Sequence, residues 1–209
     1  MVTSRNRPAI MDKILKQDEL WTKNLVTFVL KHIPYKKIHF YSKCLEISCN
    51  GIAWLSCWIA FIWVFNWESY YELQLNVLFG LILDIIIIAV LKAICRRRRP
   101  SVTTDMYTLG PDQFSFPSGH ASRAIFLLMF FVVLHPVHAL LRMPIVSWAL
   151  SVCLSRILLS RHYILDVVGG MAVGVFEALV ITLFWISQST AANIINYVTN
   201  DYLPDGGEV

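Results

Sequence analysis

Apolar runs of about twenty residues recur along this 209-residue chain, each long enough to cross ~30 Å of hydrocarbon as a helix. The composition agrees: 56% of residues are hydrophobic and only 15% charged, with a mean hydropathy of +0.58. A soluble domain carries about a quarter charged residues. So little charge cannot cover a water-exposed core of this size. A soluble globular enzyme, a secreted disulfide scaffold and a disordered tail protein are excluded together. The expected fold class is all-α, a polytopic membrane helix bundle, and the length allows one domain.

Five runs are clear, over 44–67, 76–95, 119–140, 144–160 and 163–187. Pro144 is expected to open the fourth and Pro136 to bend the third. Very short turns join the last three, so those helices should pack antiparallel. Residues 1–43 form a basic N-terminal segment with an amphipathic helix expected near 17–32, where Leu20, Trp21, Leu25, Phe28 and Val29 make the apolar set. That helix either lies in the membrane interface or packs on the membrane domain, which is expected over 44–187. A sixth span before residue 44 stays open, and 188–209 reads as a polar tail. The start of the chain is polar and of mixed charge, so the first run is expected to act as the insertion signal.

The net charge of +4 does not point to nucleic acid, because the basic residues are not spread over a soluble face. Nine Lys/Arg precede residue 44, eight more gather at one end of the runs, and Arg142 alone falls opposite. The positive-inside rule favours a cytosolic basic end, whereas another crossing before residue 44 would go with a lumenal or extracellular one, so the side stays open. Five cysteines (Cys44, Cys49, Cys57, Cys95, Cys153) lie mostly in or beside apolar runs and read as small buried hydrophobes rather than metal ligands.

Alternation brings the end of the second run, the start of the third, the end of the fourth and the start of the fifth to one side. Three polar clusters meet there. The second run leaves the membrane as Lys92-Ala-Ile-Cys-Arg96-Arg-Arg-Arg99-Pro100. Guanidinium forks match phosphate oxygens and lysine adds a point charge, so this reads as an anion collar. For Arg96, Arg97 and Arg98 the competing reading is a lipid-headgroup anchor. Lys92 lies a turn inside the helix, where a charge is costly and marks function. The second cluster is Phe116-Pro117-Ser118-Gly119-His120, with Ser118 as N-cap and Gly119 allowing close backbone approach to a phosphate. The third is Ser155-Arg156-x5-His162-x3-Asp166, which puts His162 and Asp166 on one helical face, where a carboxylate can orient an imidazole nucleophile. Arg123, one turn past His120, is a candidate contact to substrate or headgroup. Glu177 is an expected interhelical hydrogen-bond partner, Asp84 is too deep to pair with Lys92, and Asp105, Asp112 and Arg161 read as loop polarity.

Together these strings resemble the three motifs of the type 2 phosphatidic acid phosphatase superfamily, in order, spacing and residue identity, over residues 76–187. The text around Arg-Arg-Arg-Arg-Pro, Asp105-Met106 and Ser115 to Arg123 is most similar to the polyisoprenoid diphosphate phosphatases, the presqualene diphosphate phosphatases among them. The resemblance implies that 44–187 is a catalytic domain of the kind shared with vanadium haloperoxidases. Lys92, Arg99, Ser118, Gly119 and Arg156 would hold the phosphoryl group. His162 would attack phosphorus, Asp166 would fix its tautomer, and His120 would protonate the leaving oxygen and then activate water. The implied reaction is hydrolysis of lipid phosphates or diphosphates, polyisoprenoid diphosphates favoured, without metal or other cofactor. Partners are then the lipid substrate and the bilayer, with the endoplasmic reticulum and nuclear envelope as location. The competing readings are a broad phosphatidate, lysophosphatidate or sphingoid-phosphate phosphatase, a haloperoxidase (which the spans oppose), and a non-catalytic membrane scaffold.

Overall fold

The structure, a computed structural model, describes residues 8–100 and 113–200. Among these, eight α-helices follow in order: α1 (Ala9–His32), α2 (Tyr35–Ser48), α3 (Gly51–Val64), α4 (Tyr71–Cys95), α5 (Gly119–Met129), α6 (Ala139–Leu158), α7 (Ile164–Leu183) and α8 (Gln188–Asn200). Helix is what an apolar chain must form in lipid, where backbone groups find no water and must bond within the segment.

Three helices among the described residues are long and apolar enough to cross a membrane, Glu68–Cys95, Ala139–Leu158 and Ile164–Leu183. The pair α2 and α3, bent by 45° at the break between them, is long and apolar enough for a fourth crossing if the two helices form one broken span. The expected third run is shorter than its sequence suggested. α5 has 11 residues and closes in a five-residue π turn, Phe130–Leu134, before Pro136, so it spans about 24 Å. The five expected spans are therefore three, plus a broken one and a short one. The first begins at Tyr35, after Pro34 and across the expected boundary at residue 43, and is broken where Asn50 caps α3 through Ile52 N–H and Ala53 N–H.

One other expectation is corrected. α6 starts at Ala139 with Pro144 inside it. His138 caps its first turn and Arg142 Nε returns to the Val137 carbonyl, which supports the extra turn. Residues 188–200 of the polar tail form α8, tied to the start of α4 by Gln188.

Helices in lipid gain little from hydrophobicity against one another and rely on close packing. The tightest contact is α5 on α7: a Cβ on Gly170 would strike the Ser118 carbonyl, and one on Gly174 the Ser122 carbonyl. Val77, Leu81, Phe126, Leu127, Phe130, Ala178 and Ile181 fill the centre between α4, α5 and α7. α1 packs on this bundle through Leu25 and Val26, which meet Ala121, Ile125, Cys153, Ile157 and Val167. Leu20, Trp21 and Phe28, three of the expected apolar face, point outward, and the buried polar residues of α1 are Asp18 and Thr22.

Candidate active site

The C-termini of α4 and α6 and the N-termini of α5 and α7 meet at one end of the bundle, as alternation requires. α4 stops because Arg96 turns left-handed, at φ 50°, and sends the chain back along the bundle end. Ser115 N–H then bonds the Arg97 carbonyl at 2.8 Å, which brings the segment before α5 beside the one after α4. Ser118 caps α5, and its own N–H bonds the Asp166 carbonyl at 3.0 Å, joining the second and third clusters through the backbone. The α6–α7 link folds over the end of α6: the N–H groups of Arg161 and His162 both reach the Arg156 carbonyl.

This geometry brings together Lys92, Arg99, Ser118, Gly119, His120, Arg156, His162 and Asp166. Lys92, Ser118, Arg156, His162 and Asp166 are all buried. His162 Nδ1 lies 2.7 Å from the Ser115 carbonyl oxygen. A carbonyl only accepts, so Nδ1 carries the proton and Nε2 carries the lone pair. Burial, followed by the charges of Arg156, Arg99 and Lys92, holds the His162 pKa well below its ordinary value, so the ring is neutral and nucleophilic at neutral pH.

Asp166 does not make the expected direct bond to this ring. Its Oδ2 stands 3.9 Å from His162 Nδ1 and instead accepts the Tyr163 N–H at 2.8 Å, while Oδ1 accepts from Arg97 at 2.7 Å. Nδ1 has a single proton, and the Ser115 carbonyl takes it. Asp166 is thus bonded to the turn that carries His162, with the imidazole 3.9 Å away.

Arg156 has the clearest signature of an anion site. It is 2% exposed, and its Nε and Nη1 are buried with no hydrogen-bond partner among the described residues. Buried donors left unmatched cost about 1–3 kcal/mol each, more when charged, and a phosphoryl oxygen would satisfy them. Its Nη2 reaches Glu46 Oε1 at 3.4 Å. Glu46, which the sequence reading missed inside the first apolar run, also receives His120 Nε2 on its carbonyl at 3.1 Å. The His120 nitrogen left for chemistry is therefore Nδ1.

Arg123 is directed elsewhere than expected. Its guanidinium bonds Asp84 Oδ2 at 2.5 Å and the Cys49 carbonyl at 3.0 Å, one layer below the site. Beside this pair Glu177 accepts from the Ser122 hydroxyl at 3.1 Å, the interhelical bond expected of it. Arg97 is no headgroup anchor: it is buried between Asp166 and Asp18, with the Tyr163 ring 4.2 Å from its guanidinium carbon. Arg96 and Arg98 remain exposed, whereas Arg161 is buried rather than loop polarity. Asp105 and Asp112 lie outside the described residues.

Residues 73–189 match the family model of the PAP2 superfamily, more than half of the chain, and the chain belongs to that superfamily. A probable lipid phosphate phosphatase beta of Arabidopsis thaliana is 34% identical over 49% of this chain and 61% of its own length. The chain thus spans about three fifths of that curated relative. The crystal structure of a PAP2-type phosphatidylglycerolphosphate phosphatase from Bacillus subtilis superposes with a TM-score of 0.63, at 22% identity, over 82% of this chain and 86% of that one. LpxE of Aquifex aeolicus superposes at 0.54, with 20% identity, over 75% and 92%. These two establish the fold, a PAP2 membrane helix bundle.

Proposed function

We propose that this protein is an integral-membrane lipid phosphatase that hydrolyses lipid phosphates or diphosphates, polyisoprenoid diphosphates by preference, through a phosphohistidine at His162. The observation that carries the reading is the buried pairing of unmatched Arg156 donors with a neutral His162 whose Nδ1 proton is fixed by the Ser115 carbonyl. In the first step His162 Nε2 attacks phosphorus in line and a P–N bond forms. The P–O bond to the leaving group breaks, and that oxygen takes the Nδ1 proton of His120, which enters this step as the imidazolium with its Nε2–H kept on the Glu46 carbonyl. In the second step His120 Nδ1 removes a proton from water, whose oxygen attacks the phosphohistidine; the P–N bond breaks and phosphate leaves. Lys92, Arg99 and Arg156 supply positive charge to the equatorial oxygens, where it builds in the transition state. Ser118 and Gly119, at the start of α5, add the positive end of a helix.

The substrate preference is supported by the likeness to the polyisoprenoid diphosphate phosphatases around Arg96 to Pro100 and Ser115 to Arg123. A broad lipid monoester phosphatase is the second reading, favoured by the likeness to the probable lipid phosphate phosphatase of Arabidopsis. Residence in the endoplasmic reticulum and nuclear envelope follows from the same likeness. A cytosolic site is supported by the basic N-terminal segment, whose α1 contacts the site.

Purified protein in detergent, given farnesyl, geranylgeranyl and presqualene diphosphates beside phosphatidate and sphingosine phosphate, tests both readings. Diphosphates should show the highest kcat/KM; equal or better turnover of phosphatidate replaces the first reading by the second. Quenching with labelled substrate should trap acid-labile, alkali-stable phosphate on the native protein and none on His162→Ala, which should lack turnover. Residual hydrolysis by His162→Ala at the native rate removes the nucleophile assignment.

A further inference from the structure

α1 lies outside the matched family region, yet it reaches the site through two buried side chains one turn apart, Asp18 and Thr22. Thr22 Oγ1 accepts the Ile164 N–H and Asp18 Oδ1 the Leu165 N–H, each at 3.1 Å. These are the first two N–H groups of α7, which have no carbonyl within their own helix. The other oxygen of Asp18 accepts from Arg97 Nη2 at 2.6 Å, while Arg97 Nη1 bonds Asp166 at 2.7 Å. One guanidinium is thus divided between a carboxylate of α1 and a carboxylate of α7, with the Tyr163 ring against its face.

The location of this pair gives it consequence. Asp166 holds the Tyr163 N–H, the first peptide after His162. Arg97 is two residues from Arg99, close to the phosphoryl cradle. An Arg97 released from Asp18 would offer a guanidinium edge to any anion nearby and would leave Asp166 held on one side only. With Asp18 present, both ends of the Arg97 fork are engaged and the phosphate is left to the other cations.

We propose that Asp18 is a positioning residue for the reaction: through Arg97 and the α7 cap it fixes the Tyr163–Asp166 turn and so aims His162, and it withholds Arg97 from the phosphoryl group. This rests on the reading of His162 as nucleophile. It makes α1 part of the working enzyme rather than a membrane anchor alone.

The test uses the full chain in detergent, with farnesyl diphosphate as probe. Asp18→Asn keeps an oxygen for the Leu165 N–H and removes the charge. It should lower kcat roughly ten- to hundredfold, the loss typical of a displaced reacting group, with KM changed by less than about twofold. Thr22→Val removes a cap of the same helix but leaves the Asp18–Arg97 pair, and should lower kcat less than Asp18→Asn does. Arg97→Met should lower kcat as Asp18→Asn does, and the double variant should be no worse than Arg97→Met alone. Asp18→Asn with native kcat, or a double variant whose loss is the product of the two single losses, overturns the proposal. If Asp18→Asn does not fold, the double variant, which leaves no lone Arg97 charge, decides by comparison with Arg97→Met. His162→Ala keeps the two readings apart: if it is inactive while Asp18→Asn is native, only the role of Asp18 falls.

Discussion

The proton on His162 Nδ1 has kinetic consequences under the proposed mechanism, in which the neutral ring is the reactive one. Its pKa is lowered by burial and then by Arg156, Arg99 and Lys92. A lowered pKa means that the neutral form persists as pH falls past 6.5 and is lost only further down. The expected acid limb of kcat/KM, which reports the free enzyme, therefore bends below pH 6.5 once substrate ionisation is divided out. Arg156→Ala removes one of the depressing charges, so the bend should move up toward 6.5 while kcat drops about 10²–10³-fold, as for loss of an oxyanion donor. A bend at or above 6.5 in the native protein contradicts the assignment. Lys92, Arg99, Ser118, Gly119, His120, Arg156, His162 and Asp166 lie in the three motifs that carry the family resemblance, and it was that resemblance, rather than the spacing of any one string, that singled them out. Arg97 could not be singled out so: four consecutive arginines are chemically alike, and which turns inward depends on the left-handed turn at Arg96. Nor could Glu46, whose backbone carbonyl holds His120; any residue type can offer a carbonyl.

At the scale of elements, the positions of His120 and His162 depend on how closely α5 and α7 approach. Gly170 and Gly174 are four residues apart on α7 and face the carbonyls of Ser118 and Ser122. Those are backbone atoms, so a side chain at Gly174 cannot be accommodated by a rotamer change; α5 itself has to move. Gly174→Val should cost about 1–3 kcal/mol or more from overpacking, read as a lowered melting temperature in detergent and a loss of activity. An unchanged melting temperature would mean that the helices do not meet there. The apolar runs identified α3, α4, α6 and α7 because lipid demands such runs. The helix expected near 17–32 is there as part of α1, but its apolar set left open which face meets the bundle: α1 turns Asp18 and Thr22 inward to meet the N–H groups of α7, and Leu20, Trp21 and Phe28 outward. The end of α5 was also hidden, since a π turn of Phe, Val and Leu has the same composition as helix.

For the whole molecule, the contact between Asp18 and Arg97 settles which end of the bundle α1 occupies. The sequence could only count crossings, and its count of five left a sixth before residue 44 open. A direct contact between α1 and the link after α4 needs no count: both lie on the same side, so an even number of crossings separates them. Tags inserted before Ala9 and within 101–112 should therefore share one fate under protease in sealed microsomes, and a tag beside Arg142, at the start of α6, should share the other. The positive-inside rule adds the direction, because the Lys/Arg of the N-terminal segment outnumber the lone Arg142 opposite. The first two tags should be digested without detergent, and the third only after the membrane is opened. Digestion of the N-terminal tag alone would separate α1 from the site and break the Asp18–Arg97 contact. Protection of both site-side tags would leave the fold intact and turn the whole enzyme over, with its phosphate released into the lumen.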